Sequence, residues 1–169
     1  LSLSALGRHE DAIAILRPLQ AKKRKDFELA NLLGVLLKRA GRFSQALRMF
    51  DLARGLRPGN VSAWVNMGNT HQIMGNNKAA ADAFGQAARL KPADAELWRL
   101  YGLALFRRGL HDEACRSLTR AASLAPGDSK TFACRTDLLL RLGIKDEAVA
   151  AIERFRTERP GDHEATVAL

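Results

Sequence analysis

The sequence predicts an all-α protein, an α-solenoid of stacked antiparallel helix pairs, on three observations. Proline falls at Pro58, Pro92, Pro126 and Pro160, each 34 residues after the last. Glycine keeps the same step at Gly7, Gly41, Gly75, Gly109 and Gly143, and alanine at Ala12, Ala46, Ala80, Ala114 and Ala148. Three residue types in phase over four or five cycles mark internal repetition, which outranks any local reading of secondary structure. Within each period, apolar residues recur at helical rather than strand spacing.

The elements follow in order when the units are numbered from Phe27, Val61, Ala95 and Ser129. Residues 1–26 are the tail of a preceding unit, mainly its second helix over 9–22. Pro18 sits inside that helix, removes a backbone donor and predicts a kink near Leu16. Full units then cover 27–60, 61–94, 95–128 and 129–162, and residues 163–169 begin another, so 1–169 reads as a single array. The first helices (A) are expected over 27–40, 61–74, 95–108 and 129–142. The second helices (B) are expected over 43–56, 77–90, 111–124 and 145–158. Glycine at position 15 ends helix A, where a left-handed residue is wanted. Proline at position 32 ends helix B. Position 34 (Asp26, Asn60, Asp94, Asp128, Asp162) supplies the side-chain oxygen that caps the next helix A, worth about 1 kcal/mol each. Gly34, Gly68 and Gly102 at position 8, with the alanines at position 20, let the two helices approach closely. Thr136 breaks that series and is expected to loosen the fourth pair.

The order large-apolar, Gly, Gly, Ala, Phe, Ala, Pro within 34 residues resembles the tetratricopeptide repeat, with Ala30 departing from the bulky residue at position 4. The resemblance implies a right-handed superhelix with a concave groove lined by helices A. It also implies a protein-interaction scaffold, not a particular chemistry. On this reading Trp64 and Trp98 are core residues, and their replacement by alanine is expected to cost about 3–5 kcal/mol.

Catalysis needs convergent reactive groups, and the sequence shows none. HExxH, a Gly-rich phosphate loop, GxSxG and CxxC are all missing, so no enzyme, cofactor or metal site is expected. His71 falls on the interior stripe with Trp64 and Met67 and reads as a packed, hydrogen-bonded histidine. Cys115 reads as a small core residue and Cys134 as an exposed one. With no apolar run near the ~20 residues of a membrane helix and no disulfide-like cysteine pattern, a soluble, cytoplasmic setting is the default. The missing initiator Met suggests a piece of something longer.

The candidate site is the groove face of helices A, positions 2, 6, 9 and 13. Asn66 and Asn69 offer amides to the backbone of an extended peptide. Leu32, Val35, Leu100 and Leu103 surround them, with Phe106 at the edge, as an apolar contact surface. Arg39, Arg107 and Arg141 recur at position 13, with Arg99 at position 5 and Lys130 at position 2. They could clamp an acidic ligand, or simply satisfy the helix dipole. The carboxylate clamp of chaperone-binding repeats fits poorly: one register matches only Asn66, the next only Asn69 and Lys130. The asparagine ladder of O-linked N-acetylglucosamine transferase repeats has one rung here, Asn66.

The primary expectation is therefore a scaffold holding a protein or peptide segment, with an acidic one favoured by the arginines. The alternative is the substrate-recruiting arm of a larger enzyme such as a glycosyltransferase. Net charge is +9, but residues 1–60 carry 12 basic against 5 acidic side chains and the remainder 15 against 13. The run Lys22-Lys23-Arg24-Lys25 is thus a local basic corner. Nucleic-acid binding through it is disfavoured, because no aromatic platform accompanies it. Both ends lack a polar capping helix, which predicts exposed apolar edges and end-to-end self-association.

Overall fold

Helix boundaries in the computed structural model, which describes residues 3–158, fall where the 34-residue punctuation sets them. Nine helices occur among the described residues: α1 Leu3–Lys22, α2 Phe27–Arg39, α3 Phe43–Leu56, α4 Val61–Ile73, α5 Asn77–Leu90, α6 Ala95–Arg107, α7 His111–Leu124, α8 Ser129–Arg141 and α9 Lys145–Glu158. The chain divides into two compact units, Leu1–Leu90 and Lys91–Leu169. In the first, α2 packs on α3 and α4 on α5, with α1 against α2; in the second, α6 packs on α7 and α8 on α9. Both are all-α stacks of paired helices. Pro160, Asp162 and the start of a further repeat at 163–169 lie outside the described residues.

Each helix A begins and ends by the same device. Asp26 accepts from the Leu29 amide at 3.0 Å, Asn60 from Ser62 at 2.9 Å, Asp94 from Glu96 at 3.1 Å and Asp128 from Thr131 at 2.8 Å. At the far end, Gly41, Gly75, Gly109 and Gly143 take φ of 73–83°, a conformation other residues adopt at a cost. The paired bonds Gly41 N–H to Lys38 O and Arg42 N–H to Leu37 O, repeated in all four units, satisfy the orphan carbonyls of the last turn.

Position 8 explains how tightly the pairs close. A Cβ on Gly34 would stand 2.5 Å from the Phe50 ring, one on Gly68 2.7 Å from Phe84, and one on Gly102 2.8 Å from Leu118. The side chain at position 24 therefore occupies the volume that any residue larger than glycine would need. Thr136 keeps the position buried but leaves its hydroxyl without a partner.

Three expectations are corrected. α1 is an uninterrupted helix from Leu3, so Gly7 ends nothing, and the helix runs on through Pro18 as expected. The carbonyl that Pro18 leaves unpaired belongs to Ala14, an exposed residue, so the lost bond is not buried. Trp64 and Trp98 are half-buried rather than core. Their indole Nε1 atoms donate to the carbonyls of Pro58 (3.2 Å) and Pro92 (2.9 Å), tying each helix A to the loop before it. The deepest residues of α4 are instead Ala63, Gly68 and Thr70. Cys115 is likewise half-buried, not core.

Candidate functional site

In the first unit, α2 and α4 lie side by side and build one polar surface. Asn66, on α4, donates from Nδ2 to Asn31 Oδ1 at 3.1 Å and accepts at Oδ1 from Lys38 Nζ at 3.4 Å. Its amide is therefore part of a bridge between the two helices. Asn69, one turn on, makes no side-chain hydrogen bond among the described residues and is half-buried. Leu32 is 48% exposed, Ile73 is 59% exposed, and Arg39 is open to solvent at the end of α2. Burial, reinforced by the adjacent Arg39, holds the Lys38 ammonium below the usual lysine pKa.

Asn31 and Lys38 were not among the residues expected from sequence. They stand at positions 5 and 12 and, with Val35 at position 9, follow i, i+4, i+7 spacing along α2. Reading two adjacent rows of the helix instead of one would have found them.

The second unit treats its arginines differently. Arg99 Nε donates to Glu96 Oε2 at 2.8 Å, and its side chain is only 13% exposed. Desolvation works against its charge, but the bonds to Glu96 and to Cys134 hold its pKa above the usual arginine value. Arg141 Nε lies 2.9 Å from both Asp137 carboxylate oxygens, and its guanidinium sits 5.8 Å from the centre of the Phe106 ring. Phe106 in turn faces His111 at 5.5 Å. Arg107 and Lys130 are exposed. Cys134 is half-buried beside Arg99, not free in solvent.

The opposite side of the helices A carries two clefts at matching places in the repeat. One, of about 350 Å³, is lined by Trp64, Met67, His71, Asp82, Gln86 and Arg89. The other, of about 330 Å³, is lined by residues including Phe132, Arg135, Arg154 and Phe155. His71 is packed as expected but not hydrogen-bonded at Nδ1, which is buried without a partner; burial lowers its pKa. Among the described residues, no group of three His, Cys, Asp or Glu side chains could hold a metal ion. No described helix is long and apolar enough to cross a membrane. Lys22 to Lys25 are all exposed, at the end of α1 and in the turn that follows it.

Solved structures of similar fold are repeat proteins. A crystal structure of MamA aligns over 96% of this chain and 88% of its own, at a TM-score of 0.81 and 21% identity. MamA 41-end from Desulfovibrio magneticus RS-1 aligns over 92% and 89%, at 0.76 and 25%. YrrB, a TPR protein with an unusual peptide-binding site, aligns over 90% and 79%, at 0.72 and 22%. No curated protein matches the sequence. The profile of the tetratricopeptide repeat matches residues 1–61 and 65–129, and with three quarters of its length so accounted for, the chain belongs to the tetratricopeptide repeat family.

Proposed function

We propose that this chain is a protein-interaction scaffold whose α2/α4 face holds an extended peptide segment. The observation that carries the reading is Asn69, a half-buried amide with no partner of its own, set on a face that also exposes Leu32 and Ile73. An amide offers one acceptor and two donors, which matches the alternating carbonyls and amides of an extended backbone. Apolar side chains left in solvent beside it suit the residues of a ligand. The similarity to YrrB supports the same reading at the level of the fold. In the second unit, Arg107 and Lys130 are exposed cations within a ligand's reach, while Arg99 and Arg141 hold Glu96 and Asp137.

The test is binding to an array of extended peptides. Asn69→Ala should weaken it about tenfold while the helical circular dichroism and the unfolding midpoint stay unchanged. Unchanged binding in Asn69→Ala and in the Asn66→Ala/Asn69→Ala double variant would remove this face from the function.

Self-association is part of the proposal, because α1 exposes Ile15 (67%) and Leu19 (43%) along one side. Sedimentation should give a mass that rises with concentration and falls back in Ile15→Ser/Leu19→Ser. A constant monomer mass would exclude it.

A further inference from the structure

The α2/α4 face carries a charge imbalance that its own residues do not answer. α2 holds a single carboxylate, Glu28, and α4 holds none. Glu28 is engaged by Arg57 at 2.9 Å and precedes Lys38 by ten residues, about 15 Å along the helix axis. Lys38 Nζ is half-buried, and its one acceptor among the described residues is Asn66 Oδ1, at a long 3.4 Å. An ammonium has three donors, so two remain without a partner in a place where water is partly excluded. Asn31 spends its oxygen on Asn66, and its amide N–H groups have no acceptor among the described residues and remain as further donors. Arg39 adds a second cation at the rim. Positive charge is in surplus here, and no carboxylate on either helix lies near enough to answer it.

We propose that this face recognises an acidic side chain, an internal Asp or Glu of the bound peptide, seated on Lys38 and Asn31 with Arg39 at its edge. The inference rests on the peptide-binding reading above and adds the residue that selects charge. An internal residue is favoured over a chain terminus because each of the two helices of this face exposes an apolar side chain for the flanking residues of a ligand. Leu32 stands six residues earlier on α2, about 9 Å away along the axis, and Ile73 lies across on α4. The bound chain thus continues past the carboxylate in both directions. A charge-assisted bond to a half-buried ammonium is stronger than its neutral counterpart, which sets the expected selectivity at about tenfold.

The experiment uses the 169-residue chain and three sets of ten-residue peptides with mixed flanking residues, read by fluorescence anisotropy. The first set is capped at both ends and carries a central Asp or Glu. The second carries Asn or Gln there instead. The third has no acidic side chain but a free C-terminal carboxylate. The acidic set should bind about tenfold tighter than its amide match, and the difference should shrink in high salt. Lys38→Met should abolish the preference while leaving amide-set binding in place, and Lys38→Arg should retain it. Equal binding of acidic and amide sets, a preference that survives Lys38→Met, or tightest binding by the free-carboxylate set would each overturn the inference. In those outcomes the groove still binds peptide, so only the charge assignment falls. No binding by any set would overturn the peptide reading and this inference with it.

Discussion

At Thr136 a methyl and a hydroxyl occupy a position that three other repeats leave to glycine, and the hydroxyl is buried without a partner. Leaving such a group unsatisfied costs about 1–3 kcal/mol, so the isosteric Thr136→Val should stabilise the second unit. Urea unfolding at unchanged m-value would show it as a midpoint raised by the equivalent of about 1 kcal/mol. Glycines respond oppositely according to what faces them. Gly34→Ala drives a Cβ into the fully buried Phe50 ring and should destabilise by about 1–3 kcal/mol. Gly55→Ala, exposed in α3 with nothing within 4 Å, should instead stabilise by up to about 1 kcal/mol. Asp128 adds a pH signature. The hydrogen bond from the Thr131 hydroxyl, more than any other cause, lowers its carboxyl pKa below the ordinary value near 3.9. Its stabilising contribution is therefore complete above about pH 4 and disappears as pH falls through the folded-state pKa. Asp128→Asn should lower stability at pH 7 and flatten the acid limb of the curve, so that variant and wild type converge as pH falls below about pH 4.

Helices A were legible in sequence almost to the residue, because their punctuation is local. An Asp or Asn cap and a left-handed glycine act within one turn of chain and need no knowledge of the neighbours. What a helix turns toward its neighbours was less legible. In α4, spacing alone placed Trp64, Met67, Gly68 and His71 on the interior stripe, and of these Gly68 is the one that is buried. The residues that pack deepest are Ala63, Gly68 and Thr70, since small side chains permit the closest approach. The large ones line the cleft behind, and Trp64 turns its indole to the Pro58 carbonyl. Trp64→Ala and Trp98→Ala should therefore cost about 2 kcal/mol, less than a fully buried tryptophan would. Trp98→Phe should cost about 1 kcal/mol for the lost hydrogen bond, measured by thermal unfolding. The same limit hid Asn31 and Lys38. Their importance comes from Asn66 on another helix, 35 and 28 residues away respectively, and no one-helix pattern contains that contact.

Across the whole molecule, charge is concentrated rather than spread, and the excess of seven in residues 1–60 includes the exposed run from Lys22 to Lys25. If four phosphates are neutralised there, the log–log salt slope is about −3.6. Affinity for any oligonucleotide then drops on the order of a hundredfold between ~50 and ~200 mM salt, with no preference for sequence. A salt-resistant or sequence-selective complex in an anisotropy titration would contradict this. The repeats also differ from one another in a correlated way. Opposite position 8, position 24 holds Phe50 and Phe84 where the partner is Gly34 or Gly68, Leu118 where it is Gly102, and Ile152 in the unit that carries Thr136. Between the first and the fourth repeat, bulk gained at position 8 is given up at position 24, so those two pairs are each matched to themselves. Helices traded between the first and fourth repeats would then clash in one hybrid and leave a hole in the other. The first and fourth modules, alike in outline, are not spare parts for one another.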